Sequence, residues 1–156
     1  MNEKLQKKAQ KAYVSKPDMT AIINAGEYIV IATGSVGVHV PKDDALIAYQ
    51  RKLAYDKDTG EVRNDSKSEQ EYLKDNSRPA MLTDCISYTT EHKIARKLVT
   101  TDMKSRLEAY VLLEDLKYFG TEVGYRIADD MVVVMEGGTG DVLGMIIIQD
   151  VEEENE

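Results

Sequence analysis

The sequence has few of the residues from which metal centres, disulfide frameworks and membrane anchors are built. Its 156 residues include one cysteine, Cys85, and two histidines, His39 and His92. A single cysteine excludes an internal disulfide, and two histidines are too few to complete a closed Cys/His zinc site. No apolar run approaches the ~20 residues of a membrane span, and no apolar stretch follows the N-terminal lysines as it would in a signal peptide. We therefore expect a cytoplasmic protein that binds no membrane, metal or cofactor.

The sequence also lacks a complete catalytic or ligand-binding motif. The Asp-Thr-Gly triplet at residues 58–60 is that of aspartic proteases, but one copy between charged neighbours predicts a solvated turn rather than a buried dyad. A calcium loop starting at Asp56 would need glycine and glutamate at its sixth and twelfth positions, which are Glu61 and Lys67. The glycine-rich segment 136–141 is not followed by the Gly-Lys-Ser/Thr of a phosphate loop. Each motif is better interpreted as a turn.

The remaining candidates for catalysis are the cysteine and the histidines. Cys85 and His92 would need an orienting third group and oxyanion donors, which nothing in the sequence identifies, so we expect Cys85 to be buried and inert. His39 alternates with valines at 36, 38 and 40 and is expected to be exposed on the polar face of a strand. We therefore predict that the protein is not an enzyme.

What the sequence does contain is charge, distributed unevenly. The formal net charge is −8, yet residues 1–16 carry five lysines against Glu3, which is +4 and leaves −12 for the rest. Four lysines fall at helical spacing i, i+3, i+4 and i+7 and share one face of a predicted helix over residues 2–13. These four are Lys4, Lys7, Lys8 and Lys11. They form either a solvated face or a phosphate-facing surface on an otherwise acidic protein.

A second, smaller group of cations lies further along the chain. Thr89 or Thr90 could cap a short helix over residues 91–98. On that helix Lys93, Arg96 and Lys97 would share one side. We include these three with the four lysines as candidate DNA-binding residues.

Strand patterns surround the predicted helices. Residues 20–26, 27–33 and 36–40 are strand candidates separated by turns, and residues 107–112 predict a strand followed by a helix at 113–119 that ends at Gly120. Residues 122–128, 131–136 and 142–149 then predict an antiparallel meander. The fold class is α+β, with an antiparallel sheet and two short helices packed on one face.

Other segments are less regular. Residues 43–50 favour a helix, although a strand is an alternative for residues 52–55, and a hairpin is expected around Gly60. The polar stretch 64–77 predicts a long mobile loop, and residues 80–88 an irregular half-buried segment. We expect a single domain over residues 1–150 and a flexible acidic tail over 151–156.

Several short motifs resemble a known family. The strand Tyr28-Ile-Val-Ile-Ala-Thr-Gly34 follows a basic helix, Asp115-Leu116 lies in the second helix, and Gly144-Met-Ile-Ile-Ile148 closes the meander. Together they resemble one repeat of the bacterial-type DNA polymerase sliding clamp, most closely the small single-domain clamp-like proteins of phages and mobile elements. The segment 51–61 resembles the hairpin between the halves of such proteins. The chain departs from the family in having Gly34 where an aspartate is usual, no terminal proline, and no strand before the first helix.

The resemblance implies a DNA-clamp-like fold and a non-catalytic role in DNA replication. Such an accessory protein would bind duplex DNA weakly and without sequence preference through the basic N-terminal helix, or would bind a replication protein, and a homo-oligomer is possible. The alternative is an acidic, phage-borne interaction protein that binds a basic or nucleic-acid-binding partner through the −12 charge outside the first helix.

Overall fold

The fold is described from a computed structural model, which covers residues 3–15, 20–25, 28–41 and 73–151 of the chain. The chain divides into two compact units, residues 1–75 and 76–156, which are described separately. Both units contain antiparallel sheet and helix, which confirms the α+β class. The predicted single domain over residues 1–150 stays a prediction, as does the packing of both helices on one face.

The first unit is a helix followed by a three-stranded meander. Its elements are α1 (Glu3–Ser15), β1 (Thr20–Ala25), β2 (Tyr28–Thr33) and β3 (Val36–Pro41). The strands pair antiparallel in chain order, and α1 packs against all three. The sequence prediction is confirmed for the helix and for each strand. Ile29, Ile31 and Val38 are fully buried and supply the core.

A tight turn at Gly34 and Ser35 fixes the register of β2 and β3. Thr33 pairs with Val36 across the turn, so only two residues connect the strands. Gly34 has φ 63, in the left-handed region that glycine adopts at little cost. The Gly-Ser pair is therefore what allows the strand direction to reverse within two residues.

The second unit contains six strands and one helix in the part that the structure describes. The strands are β4 (Arg78–Tyr88), β5 (Ile94–Thr100), β6 (Glu108–Leu112), β7 (Val123–Ile127), β8 (Met131–Glu136) and β9 (Val142–Ile147). The helix α2 (Leu113–Phe119) follows β6 directly. Within this unit the strand order is β9-β8-β7-β4-β5-β6, with every pairing antiparallel.

The two ends of this strand order meet. After β9 the chain continues to Gln149, whose backbone N–H donates to the carbonyl of Tyr110 in β6 at 2.8 Å, and Val151 bridges Thr89. The sheet therefore curls around a core of fully buried side chains on β5, β6, β8 and β9. These are Leu98, Val111, Val132, Val134 and Ile146.

One sequence prediction in this unit is right only in part, and another is wrong. Residues 80–88, predicted to be irregular and half-buried, belong to strand β4, whose pairing with β5 shifts register between Leu82 and Ile86. The helix predicted over residues 91–98 is wrong, because strand β5 begins at Ile94. Ala95, Leu98 and Val99 have an apolar spacing that suits a helix. However, they lie on both faces of a strand that is paired on both edges, and all three are buried. Tertiary pairing has overridden the local pattern.

The second half of the unit matches its prediction closely. The strand to residue 112, the helix at 113–119 and all three strands of the closing meander are confirmed within a few residues. Gly120 ends α2 with φ 83 and ψ −165, a combination that is essentially restricted to glycine. The glycine-rich segment 136–141 is a hairpin turn, in which the N–H of Gly140 donates to the carbonyl of Glu136 at 3.0 Å.

The remaining predictions fall wholly or partly outside the described residues. The helix at 43–50, the hairpin at Gly60 and most of the loop 64–77 lie there, as do residues 152–156 of the tail. Where the structure does describe the end of that loop, Leu73–Asp75 form a helical turn, and Leu73 and Ser77 are buried.

Candidate nucleic-acid interface

The lysine face of α1 is the strongest candidate for an interface. Lys4, Lys7, Lys8 and Lys11 are all exposed, whereas Ala9 is completely buried and Leu5 is half-buried. Because α1 packs on β1, β2 and β3, its apolar positions face the sheet and its lysines face solvent. The amphipathic pattern of the sequence thus produces a one-sided surface of four ammonium groups, which we call the lysine face. Ammonium groups arrayed at helical spacing can contact successive phosphates without reading bases.

The second group of predicted DNA-binding residues does not form such a surface. Lys93 precedes β5, and Arg96 and Lys97 are consecutive residues within it, so their side chains leave opposite faces of the strand. The predicted common side of Lys93, Arg96 and Lys97 is therefore wrong, because it required a helix.

Each of these three cations also has a carboxylate partner in its own unit. Lys93 lies 3.8 Å from Glu114, Arg96 lies 3.2 Å from Asp84, and Lys97 lies 3.2 Å from Glu108. Lys97 also lies over the ring of Tyr110, 5.6 Å from its centroid. Their charge is compensated locally, which leaves little of it to attract an external phosphate.

A tighter ion pair, which the sequence did not predict, fixes the loop between β5 and β6. Arg78 donates from Nε and Nη2 to the two oxygens of Asp102, both at 2.8 Å. These hydrogen bonds are the main reason that the pKa of Asp102 lies well below its usual range. A bidentate pair between residues 24 positions apart has no local sequence signature, since each partner alone is an ordinary surface charge.

The histidine and cysteine predictions are both wrong. His39 is 3% exposed, because Gly37 and His39 on one face of β3 are covered as well as the valines on the other. This burial lowers the pKa of His39 to about 4, so the imidazole is neutral at pH 7. Cys85, expected to be buried, is exposed on β4.

The described residues contain neither a cluster suited to a metal ion nor a helix suited to a membrane. No group of three or more His, Cys, Asp or Glu side chains there is placed to hold a metal ion. Of the helices in the described ranges, none combines the length and apolarity needed to cross a membrane.

The two units differ in net charge. Residues 1–75 contain 12 Lys or Arg against 12 Asp or Glu, whereas residues 76–156 contain 8 against 16, a net −8. Many of the acids of the second unit lie at strand ends and turns and are exposed, among them Glu122, Asp129, Asp130 and Asp141. The molecule therefore offers two opposite kinds of surface, a lysine face on a neutral unit and an acidic unit.

Comparison of the chain with known proteins found no matching family model, curated protein or solved structure.

Proposed function

We propose that the protein is a non-catalytic, DNA-clamp-like replication accessory that contacts duplex DNA through the lysine face of α1. The observation that carries the proposal is the orientation of α1, whose apolar side packs on a sheet while Lys4, Lys7, Lys8 and Lys11 face solvent. A helix supported from behind by strands holds its cations in fixed register. Such a surface suits contacts to the phosphates of the DNA backbone, which do not depend on the base sequence.

The order of elements supports the clamp-like part of the proposal. A helix followed by a three-stranded antiparallel meander occurs twice in the described chain, as α1-β1-β2-β3 and as α2-β7-β8-β9. The two copies contain the elements on which the resemblance to one repeat of a sliding clamp rests, which are the basic helix with its strands and the second helix with the closing meander. The second helix differs from the first in charge, since Glu114 and Asp115 lie in its first turn, so phosphate contact is assigned to α1 alone.

The test is DNA binding measured against salt concentration. The wild-type chain should bind linear duplex weakly, with no sequence preference. If four lysines each contact a phosphate, the slope of log K against log salt should be roughly −3 to −4. Changing Lys4, Lys7, Lys8 and Lys11 together to glutamine should abolish binding while leaving thermal stability nearly unchanged, because exposed lysines contribute little to folding.

A matched control comes from the other predicted cations. The triple variant Lys93→Gln, Arg96→Gln, Lys97→Gln should bind DNA as the wild type does, because those charges are compensated by Glu114, Asp84 and Glu108. Absence of wild-type binding at low salt would refute the proposed function. Equal affinity of wild type and the four-glutamine variant would refute the assignment to α1.

A second candidate function rests on the charge of residues 76–156. A unit of net −8, whose central cations are already paired with its own acids, suits a basic or nucleic-acid-binding partner protein. Under this alternative an arginine-rich peptide should bind the wild type in calorimetric titration and should bind the four-glutamine variant equally well. The DNA-binding proposal predicts instead that the wild type and the four-glutamine variant differ in their affinity for DNA.

A further inference from the structure

The loop between β5 and β6, residues 101–107, presents an apolar side chain to solvent in a strained backbone conformation. Met103 is 99% exposed, and its φ of 64 lies in the left-handed region that few residues other than glycine and asparagine adopt. Leu107, at the end of the loop, is 43% exposed. Strained conformations persist only where the surrounding structure imposes them, and they cluster at functional sites. The conformation therefore marks the side chain of Met103 as a candidate contact residue.

Hydrogen bonds hold the loop in this conformation. Arg78 donates to both carboxylate oxygens of Asp102, each at 2.8 Å, and Asp102 accepts the backbone N–H of Lys104 at 3.3 Å. At the base of the loop the N–H of Leu107 donates to Oγ1 of Thr100 at 3.0 Å. Because the loop is held in this way, the exposed methionine loses little further conformational entropy when it contacts a ligand.

The charged side chains of this loop and its base sum to a positive charge, although the unit that contains them carries −8. The two carboxylates are those of Asp102 and Glu108, and each lies within 3.3 Å of a cation. Four cations against two carboxylates give +2. The loop is therefore a local basic site on an acidic unit. The four cations are Arg78, Lys97, Lys104 and Arg106.

Two further acids, Asp129 and Asp130, lie at the same end of the sheet, on the turn between β7 and β8. Strand β4 lies between β7 and β5, so this turn is two strand spacings from the end of β5, about 10 Å at ~4.8 Å per spacing. That separation is comparable with the Debye length at physiological salt. The two acids therefore weaken the attraction of an anion to the loop without cancelling it.

A single protruding apolar side chain beside cations suits one kind of ligand better than others. A specific protein partner buries about 1,200–2,000 Å² of surface, far more than one methionine offers, and stable attachment to a membrane surface needs a large apolar area. Duplex DNA needs only one such side chain. Proteins that kink DNA insert an apolar residue, methionine among them, between neighbouring base pairs from the minor groove, and use Lys and Arg beside it.

We propose that Met103 is a wedge that enters the minor groove of duplex DNA and inserts between base pairs, while Lys104 and Arg106 contact the flanking phosphates. Arg106 is 64% exposed, so its guanidinium is accessible to a phosphate. Insertion is easiest where stacking is already weak, so the preferred ligand is a duplex with a mismatch or a flexible step. The inference rests on the proposed function only in taking duplex DNA as the ligand. It adds a preference for mispaired DNA, which phosphate contacts alone do not provide.

Fluorescence anisotropy of the full chain at low salt, with two labelled duplexes that differ only in one central mismatch, provides the test. The wild type should bind the mismatched duplex about fivefold or more tightly than the paired duplex. Met103→Asn should bind both duplexes as the wild type binds the paired one, because asparagine adopts the left-handed conformation readily but provides no apolar wedge. Energy transfer between dyes at the two duplex ends should rise with the wild type and not with Met103→Asn, since insertion kinks the duplex.

Two further variants separate the wedge from other effects. Met81 is 53% exposed on β4, so Met81→Asn makes the same chemical change elsewhere and should keep the wild-type preference for the mismatch. Asp102→Asn loosens the loop but leaves Met103 in place and removes a negative charge. It should raise affinity for both duplexes while reducing the preference between them, whereas a purely electrostatic role of Asp102 would leave the preference unchanged. Circular dichroism melts check folding, and Met103→Gly, which also suits a φ of 64, replaces Met103→Asn if the latter unfolds.

The wedge and the lysine face can fail separately. Equal affinity of the wild type for the two duplexes, or a preference that survives in Met103→Asn, would overturn the wedge and leave the lysine face. Equal binding of the paired duplex by the wild type and the four-glutamine variant would refute the lysine face and leave the wedge. Binding to vesicles of phosphatidylglycerol and phosphatidylcholine that depends on Met103, without a preference for the mismatch, would also overturn the wedge and would assign the loop to an anionic membrane surface. A wild type that binds neither duplex would overturn both proposals.

Discussion

At the scale of single residues, the ion pair of Arg78 and Asp102 holds the β5–β6 loop to the start of β4. The side chains of Arg78 and Asp102 are 25% and 17% exposed. Arg78 also donates to the carbonyl of Ser105, so one guanidinium binds two positions of the loop. The planar, bidentate geometry is what arginine supplies and lysine does not.

This pair predicts a dependence of stability on acid pH. The pKa of Asp102 is lowered in the folded protein. The contribution of its ionised carboxylate to the free energy of unfolding is therefore complete above the ordinary aspartate pKa of 3.8, and it is lost as the pH falls below that value. Asp102→Asn should lower the melting temperature at pH 7 and make the loss of stability below pH 4 less steep. Asp84→Asn, which removes a fully exposed carboxylate, is the control and should leave both unchanged. Melting temperatures between pH 3 and pH 7 decide.

His39 predicts a second pH effect, of different origin. Its pKa is about 4 in the folded protein and 6.5 when exposed, so the unfolded chain takes up a proton first as pH falls. The free energy of unfolding should therefore have its full value above pH 6.5. Between pH 6.5 and pH 4 it should fall by on the order of 3 kcal/mol, at about 1.4 kcal/mol per pKa unit. Urea denaturation across this range should show the loss in wild type and in the exposed-site control His92→Gln. His39→Leu should lack it, and an unchanged slope in that variant would contradict the assignment.

At the scale of elements, α2 is a short helix whose end is set by backbone geometry. Asp115, Leu116 and Phe119 are buried, and the helix packs against β5, β6 and β9. The acidic residues in its first turn suit the positive end of the helix dipole. After Phe119 the chain must turn sharply to enter β7, and Gly120 provides the turn.

Gly120 can be tested against a second glycine four residues away. Gly120→Ala should destabilise the protein by about 1–3 kcal/mol, because its φ of 83 with ψ of −165 is strained for any residue with a Cβ. A Cβ at Gly124 would have open space and no positive φ, so Gly124→Ala should be neutral or slightly stabilising. Chemical denaturation of the two variants measures the difference, and equal effects would show that backbone conformation is not the cause.

The elements that the sequence predicted correctly are those with a regular spacing of charged or apolar residues or a clear terminator. The lysines of α1, the alternating valines of β3 and the glycine after Phe119 each carry a local signal that agrees with the fold. The β5 strand was mistaken for a helix because Ala95, Leu98 and Val99 are buried on both faces, which removes the alternation of a surface strand. The exposure of His39 was mispredicted for the same reason.

The candidate site was only half predictable. The lysine face depends on residues within one helix, and spacing alone defines it. Arg96 and Lys97 reach their carboxylate partners only because of the strand register and the position of neighbouring strands. A single sequence does not reveal either of these.

At the scale of the whole molecule, the proposed binding to DNA depends on where the charge lies rather than on the total charge. The net charge of −8 opposes approach to a polyanion. Under the proposal, attraction at the lysine face must therefore act over short distances, within the Debye length of about 8–10 Å at physiological salt.

A pair of charge variants separates local from global electrostatics. The four-glutamine variant of α1 changes net charge from −8 to −12, and neutralising Glu122, Asp129, Asp130 and Asp141 as amides changes it from −8 to −4. If contact is local, the first should abolish DNA binding and the second should raise affinity by less than about threefold. Fluorescence anisotropy with labelled duplex measures both. Equal and opposite changes would mean that DNA responds only to the total charge of the protein.

The bulge in β4 has a consequence for solubility. In the described part of the chain, β4 pairs with β7 only over Arg78–Ala80, so most of its length has one open backbone edge. Such an edge is a template on which identical chains stack into fibrils. Between Leu82 and Ile86 three residues of β4 face a single residue of β5, and the middle one, Asp84, projects fully into solvent. The irregular backbone and the charge of Asp84 interrupt this template, so the exposed side chains of Ile86 and Tyr88 do not continue a regular apolar strand. We therefore expect this open edge of β4 to resist amyloid-like stacking.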